Sequence, residues 1–571
     1  MMNMSQKKNK RLRNQVIEVT SQLSKVTFGV RDILKGNWKF LVLVCLGIIA
    51  VYLNSLKGDF VSDDYASITQ NPNIYDTMHY LKSMSLPGMV THIIAKLFGI
   101  GSSLPYHAAS LVLYLAICVL AFIFMVTVAG KQIARISAVL FAFHPIHVEA
   151  VSWISGRPYL LTTFLVLICL ISMILYMGGR KRKKYLYVVF ISMVLNFIND
   201  PFRGFALYLL VMLIFFSFGD KFFPGIKLGR FFLYFMVVLI VTFAIVWPLA
   251  KTRISVVNGG YNASESVFYQ PWFQYPTAIT KYLQLLFIPV DLTLYHTLFI
   301  LPLWLNWAVI ILYLGSLVYF WFKNKLVFFA LAFVFVASSP SMLPVKVSWL
   351  VAERYVFFGS VGFCLLLGIV INNIFVKNKW VGISILGLVA GIYFFRTYFR
   401  NVDWQTNHKL WVSTCQVSPN SHNAWNNIGD DYDKLGQYDN AIKGFTQSTV
   451  VKPNYADAYH NRANIFFKTG RLDLARDSYN TALGYSSGLF QTYMSLIQID
   501  LMEKRADLAI QDSQKLLNLQ PNNPQAWYVT GVVFANVGDR ENAKMAFKNA
   551  LTIMPGFTQA QQALIQLLGG S

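Results

Sequence analysis

The sequence is poor in charge, in cysteine and, over its first 400 residues, in acidic side chains. Charged residues make up 13% of the 571, against 55% hydrophobic, about half the charged share of a soluble globular protein. That shortage, set beside repeated apolar runs, excludes a simple soluble enzyme. Five cysteines in a chain of this length exclude a secreted disulfide scaffold. Cys45, Cys118, Cys169 and Cys364 lie within apolar runs and read as small core residues, and Cys415 lies outside them with no partner. The formal net charge of +23 looks at first like a nucleic-acid signal. However, residues 1–400 hold 35 Lys+Arg against 12 Asp+Glu, whereas residues 401–571 hold 14 of each. The excess sits wholly in the apolar part, where Lys and Arg collect in cytoplasmic loops of membrane proteins. No nucleic-acid partner is expected.

What is present is a series of runs long enough to cross a bilayer, near 39–56, 104–128, 159–178, 202–218, 229–250, 302–322, 325–344, 350–376 and 380–398. Shorter candidates lie near 132–146 and 184–199, giving about eleven spans. The Pro-bounded stretch 276–290 reads as interfacial or re-entrant. With eleven spans, the basic clusters fall on one face, the cytoplasmic one: the leader with Lys7, Lys8, Lys10, Arg11 and Arg13, then Lys131/Arg135, Arg180–Lys184, Lys221/Lys227/Arg230, Lys323/Lys325 and Lys377/Lys379. The leader is no cleavable signal, because its apolar run is long and lacks a small-residue cleavage site. Nine of the twelve acids gather on the opposite, outer face: Asp59, Asp63, Asp64, Asp76, Glu149, Asp200, Glu265, Asp291 and Glu353. Arg157, Arg203, Lys251, Arg253, Lys281, Lys346 and Arg354 join them. Charge at membrane depth costs roughly 2.5–3.5 kcal/mol per residue, so the clusters point to a site; ordinary wet-loop residues are the alternative for any one of them.

From about residue 420 a period of 34 appears. Ala424, Ala458, Ala526 and Ala560 are in register, with Thr492 in the third slot, and Pro419, Pro453, Pro521 and Pro555 repeat likewise, with Ser487 in the gap. Ala441, Ala475, Ala509 and Ala543 mark a second small position, and Gly436, Gly470 and Gly538 the turns. This is the tetratricopeptide pattern: four repeats over about 420–555, with a capping helix near 558–568 covering the open apolar end. An odd number of spans puts the solenoid on the outer side. Its concave groove suits an extended peptide, with Asn426, Asn427, Asn461 and Asn464 as acceptor-binding candidates; a structural or dimerising module is the alternative.

Three outer loops carry candidate chemistry. Residues 58–74, GDFVSDDYASITQNPNI, pair Asp63 with Asp64 just past the first span. A carboxylate at a dry membrane edge can act as general base for a hydroxyl, although most such pairs are caps or turns. Residues 141–161, FAFHPIHVEAVSWISGRPYLL, bring His144, His147, Glu149 and Arg157 to the outer edge. The His-x2-His-x-Glu spacing admits a metal, but Pro145 breaks helical spacing and favours a hydrogen-bonded elbow. Residues 347–363, VSWLVAERYVFFGSVGF, end a loop with Glu353 and Arg354. Arg offers a fork of donors suited to phosphate; an internal Glu–Arg pair is the alternative.

Taken in order, FVSDDYASITQNPNI, FHPIHVEAVSWISGR, AERYVFFGSVGF and the junction RNVDWQTNHKLW resemble the transmembrane O-mannosyltransferases with tetratricopeptide repeats, the TMTC family, from about residue 40 onward. The resemblance implies an all-α, GT-C-like polytopic helix bundle followed by an α-solenoid. Its parts are a basic cytoplasmic leader (1–38), a catalytic membrane domain (39–400), a linker (401–419) and an extracytoplasmic repeat domain (420–571). It implies an inverting transfer of mannose from a polyprenyl-phosphate donor to Ser or Thr hydroxyls of extracytoplasmic polypeptides. Asp63 would be the base, with Asp64 orienting it or the sugar; Arg354, helped by Arg157 or Arg203, would meet the phosphate. Glu149, His144 and His147 would shape the sugar pocket, with Glu353 and Asp200 beside the donor. No cofactor or metal is required, and a divalent ion between Asp63 and Asp64 stays open. Two departures, Ser85-Leu86-Pro87 where the family has Arg-Pro-Leu and Asn199-Asp200 where it has Lys-Glu, leave another lipid-linked sugar open. A prokaryotic plasma membrane is expected, or an ER membrane with a luminal site in a eukaryote. A non-catalytic repeat scaffold is the rival reading. A transporter would need midplane charges and an internal repeat, and neither is found.

Overall fold

Every regular element among the described residues is helical. The computed structural model describes residues 29–176, 183–222, scattered positions between 227 and 247, 271–297, 301–339 and 349–569. The leader up to residue 28, half of the run 229–250, and Lys251, Arg253, Glu265 and Lys346 lie outside the described residues. The chain divides into two units, Met1–Val417 and Ser418–Ser571.

In the first unit, six described helices are long and apolar enough to cross a membrane: Trp38–Lys57, Leu104–Ala129, Ile154–Leu175, Leu303–Lys323, Ser360–Lys377 and Lys379–Asp403. A seventh span results if Lys131–Phe143 and Pro145–Ser152, bent by 53° at His144, are taken together. Among the described residues six or seven spans thus stand against the expected eleven, and several of the expected runs take other forms. Lys325–Ser338 has 14 residues and reaches only about 21 Å, short of a hydrocarbon core of about 30 Å. The run 350–376 is a span only from Ser360; the residues before it form an elbow. Lys183–Asn199 is helical over 17 residues, and the stretch read as interfacial is the helix Pro271–Phe287.

Local chemistry fixes the helix pairs. Single asparagines, Asn324 and Asn378, separate two pairs of helices. Asn324 Oδ1 accepts from Leu326 N (3.0 Å) and Val327 N (3.2 Å), and Asn378 Oδ1 from Trp380 N (3.1 Å) and Val381 N (3.3 Å). These caps satisfy N–H groups that a helix start otherwise orphans, and so short a turn makes the flanking helices antiparallel neighbours. Close approach then depends on glycine. A Cβ at Gly362 would stand 2.7 Å from Ala330 O, and one at Gly368 would strike Ser137. Small residues let helices in lipid pack by van der Waals contact, and here they seat the helix that follows the elbow.

The repeat unit contains nine described helices, from His422–Lys434 to Thr558–Gly569. The turns close on Gly436, Gly470 and Gly538 in the left-handed region; Lys504 takes that conformation in the third repeat (φ 56°). Two interior register positions vary together: Gly429 with Phe445, Ala463 with Tyr479, Ile497 with Ser513, and Gly531 with Phe547. A Cβ at Gly429 would lie 2.7 Å from the Phe445 ring, and one at Gly531 2.5 Å from Phe547. A large residue on one helix thus requires a small one opposite it.

Candidate active site

The loop after the first long helix is tied down before it reaches the aspartates. Ser103 Oγ donates to Gly58 O (2.5 Å), and Asp59 N donates to Gln405 O (2.8 Å). Ser62 then takes a left-handed backbone conformation (φ 53°), uncommon for a residue with a Cβ. After this reversal the two carboxylates part. Asp64 is fully buried and accepts from Val61 N (3.1 Å), Ser155 N (2.8 Å) and Ser155 Oγ (2.5 Å). It anchors the loop to the turn that opens Ile154–Leu175. Asp63 is exposed. Desolvation by the surrounding protein raises its pKa, while the Arg354 charge opposes the shift.

Burial pushes the Asp64 carboxyl up to about 6 from its ordinary 3.8, with Ser155, Val61 and Arg157 pulling the other way. The folded state therefore binds this proton more tightly than the unfolded chain does. Stability from this group is present below pH 3.8 and lost as pH rises through about 6. A shift of this size corresponds to about 3 kcal/mol. Thermal melts from pH 4 to 7 are expected to fall for the wild type, and Asp64→Asn to flatten that part of the dependence. An unchanged slope in the variant would refute the assignment.

The second loop forms a scaffold rather than a metal site. His144 Nδ1 accepts from Ile146 N (3.2 Å), and its Nε2 meets Leu286 O (3.0 Å). His147 Nδ1 bonds Tyr114 Oη and its Nε2 bonds Ser360 Oγ, each at 2.7 Å. Both rings are fully buried with every nitrogen engaged, so they join helices rather than face a sugar. Among the described residues no three His, Cys, Asp or Glu side chains converge as a metal would need. An ion at Asp63 and Asp64 would share the Asp64 oxygens with three donors, which fits a metal poorly.

Glu149 has a different task. Its Oε2 accepts from Arg354 N (2.8 Å), and its Oε1 pairs with Arg354 Nη1. Arg354 Nε donates to Tyr159 Oη (3.2 Å), and the guanidinium lies 5.3 Å from the Trp153 ring and 4.9 Å from that of Tyr355. Nη2 is the guanidinium nitrogen that none of these contacts uses, and 8% of the side chain is exposed. Arg354 lines a cleft with Tyr159, Thr162, Thr163, Tyr355 and Phe357. The alternative reading, a pair between Glu353 and Arg354, is not what forms: Arg354 pairs with Glu149. Glu353 turns the other way, accepting from Thr293 N (2.5 Å) and facing Arg400 Nη2 (3.4 Å) and His296 Nε2 (3.6 Å). Burial pushes it up to about 7, against the pull of Arg400.

The other candidates lie apart from the cleft. Arg157 is buried, donating to Thr91 Oγ1 (2.9 Å) and Tyr106 O (3.2 Å); it braces the loop behind Asp64. Asp200 caps the helix Pro201–Phe222, accepting Gly204 N through its backbone oxygen (2.9 Å). The side chain of Arg203 lies outside the described residues. In the repeats, Asn461 Nδ2 donates to Asn426 Oδ1 (3.0 Å) across neighbouring repeats. Asn464 instead joins His460 Nε2 (3.2 Å) and Tyr479 Oη (2.6 Å). Asn427, half-buried beside Asn426, is engaged as well. Sequence reasoning missed Ser155, Tyr159 and Tyr355; the first two flank Arg157 in the WISGRPY stretch, and Tyr355 follows Arg354.

Residues 429–470 match the TPR repeat family, and residues 456–488 match the tetratricopeptide repeat. The chain is 24% identical over 90% of its length to the Mus musculus protein named Protein O-mannosyl-transferase TMTC3, and covers 64% of it. Protein O-mannosyl-transferase F38B6.6 of Caenorhabditis elegans is 24% identical over 74% of this chain and is likewise covered over 64%. The chain thus spans 64% of the length of these relatives. Among solved structures, "Crystal structure of YrrB: a TPR protein with an unusual peptide-binding site" aligns with 34% of this chain and 96% of its own. Its identity is 16% and its TM-score 0.25. Over 90% of its length, this chain is thus similar to a protein named Protein O-mannosyl-transferase TMTC3, and it carries tetratricopeptide repeats toward its C-terminal end.

Proposed function

We propose that the chain transfers mannose from a polyprenyl-phosphate donor to Ser or Thr hydroxyls of extracytoplasmic polypeptides. The observation that carries this reading is the division of labour at the loop: an accessible carboxylate, Asp63, under the field of an anchored guanidinium, Arg354. The names of the relatives support protein O-mannosyl transfer.

In the proposed step Asp63 takes the hydroxyl proton as the acceptor oxygen attacks C1 of the sugar. The C1–O bond to phosphate breaks, and its electron pair leaves with the lipid phosphate. One displacement inverts C1. Arg354 stabilises the charge arriving on the phosphate through Nη2, and such preorganised charge is usually the largest catalytic term. Glu149 and Tyr159 hold the guanidinium in place. No step needs a metal ion.

The repeat groove is proposed to bind the acceptor polypeptide, its Asn426–Asn461 bridge offering amides to an extended backbone. The site and the repeats are placed outside a prokaryotic plasma membrane, or in the ER lumen of a eukaryote. The test is incubation of the full chain in vesicles with radiolabelled polyprenyl-phosphate mannose and Ser/Thr peptides. Label on a peptide hydroxyl supports the reading. Transfer only from a different lipid-linked sugar would overturn the donor, and no transfer from any would favour a repeat scaffold.

A further inference from the structure

The junction RNVDWQTNHKLW, residues 400–411, has no part in the chemistry above, yet it touches both halves of the site. Toward the loop, Gln405 O accepts from Asp59 N (2.8 Å), Gln405 Nε2 donates to Asn54 O (3.2 Å), and Asn407 Oδ1 accepts from Ser62 N (2.8 Å). Toward the second loop, Asn401 Oδ1 accepts from Ser152 Oγ (2.7 Å), and the Trp404 and Trp153 rings lie 5.9 Å apart. Toward the elbow, Arg400 faces Glu353, the neighbour of Arg354.

Within this brace one contact is singular. Asn407 holds the backbone of Ser62, the residue in the left-handed conformation (φ 53°) immediately before Asp63. That conformation is unfavourable for a residue with a Cβ, so it persists only where its surroundings impose it. It also leads directly into the pair in which Asp63 is exposed and Asp64 is buried against the Ser155 turn. Asn407 is half-buried at the start of Asn407–Val417, 345 residues from Ser62 in sequence.

We propose that Asn407 is a positioning residue for the transfer reaction: by holding the Ser62 amide it fixes the reversal that aims Asp63 at the acceptor. The proposal rests on Asp63 being the base. The test uses the full chain in vesicles, with radiolabelled polyprenyl-phosphate mannose and a Ser/Thr peptide, and compares Asn407→Ala with Asn407→Asp. The Ala variant removes the acceptor oxygen and is expected to lower kcat about 10- to 100-fold, the scale of a misplaced catalytic group, with donor KM unchanged. The Asp variant keeps the oxygen but adds a charge beside Asp63. It is expected to restore the alkaline plateau of the rate while moving the acid limb to higher pH. In a D63N background, N407A is expected to add no further loss, because both act through one group.

Wild-type kcat in N407A overturns the proposal, as does an additive loss in D63N. Equal loss of folded protein in N407A and N407D, with no rescue by the latter, reduces the contact to a structural one and overturns it too. Wild-type transfer by D63N is a separate failure, that of the base assignment. A slow N407A would then be acting elsewhere, and the positioning role would fall with the base.

Discussion

Asp63→Asn is expected to cut mannose transfer by about 100- to 10,000-fold, the usual contribution of a positioned base, while the protein inserts and melts as the wild type does. The asymmetry of the pair is the reason. Asp63 is exposed, with the Ser62 side chain and the Arg354 charge acting on its carboxylate, whereas Asp64 accepts three hydrogen bonds from the surrounding protein. Asp64→Asn is therefore expected to fail differently, through stability and through loosening of the Ser155 contact, with a smaller loss in rate. The pH profile separates them further. Because Asp63 titrates above the ordinary aspartate range, the rate should rise with pH along an acid limb displaced upward, and that limb should vanish in the Asn variant. Steady-state transfer in vesicles, measured with both variants across pH, checks this. Wild-type rates in both would sink the assignment of the loop as the catalytic element.

The second large effect is expected from Glu149→Ala. Glu149 is fully buried and answers both the main chain and the side chain of Arg354. Removing one member of a buried pair leaves an uncompensated charge and costs about 3–5 kcal/mol. The orphaned Arg354 amide adds to the loss. Transfer should fall with it, since the guanidinium would no longer be held at the cleft. Denaturation of the detergent-solubilised full chain gives the first number and the vesicle assay the second. Glu149→Leu with Arg354→Leu is the informative companion, because replacing both partners removes the unpaired charge and should recover stability without recovering transfer. Wild-type stability in Glu149→Ala would contradict the burial argument. Arg354→Lys should keep the charge but lose the bond to Tyr159, lowering the rate because an ammonium lacks the planar fork.

The repeats were plain from the sequence because a 34-residue period repeats small residues and prolines in fixed slots. The long apolar runs were plain for a similar reason, since hydropathy adds up along a helix. What hydropathy cannot register is a change of direction. The kink at His144 bends one candidate span and the elbow before Ser360 takes up apolar residues ahead of another, so the apolar runs and the spans among the described residues do not correspond one to one. The polar residues of the membrane unit were legible as a set but not by partner. Glu353 and Arg354 are neighbours in sequence, yet one turns to Arg400 and the other to Glu149, 205 positions away. The break at Pro145 favours a hydrogen-bonded elbow at His144 and His147, but does not name its partners: Leu286, Tyr114 and Ser360 engage their nitrogens from distant positions in the chain. Ser155 carries no signal in the sequence, because a serine in a turn is common and its bond to Asp64 joins residues 91 positions apart.

The matched interior of the solenoid limits how its sequence can change. Where Phe445 and Phe547 lie over Gly429 and Gly531, neither helix of the hairpin can be altered alone. Enlarging the glycine collides with the ring, and shrinking the ring opens a void. The tolerated moves are double ones, made within a hairpin. The four repeats are consequently not interchangeable parts: a graft that takes the first helix of one repeat and the second helix of another would join halves cut for different partners, whereas moving a whole hairpin keeps the fit.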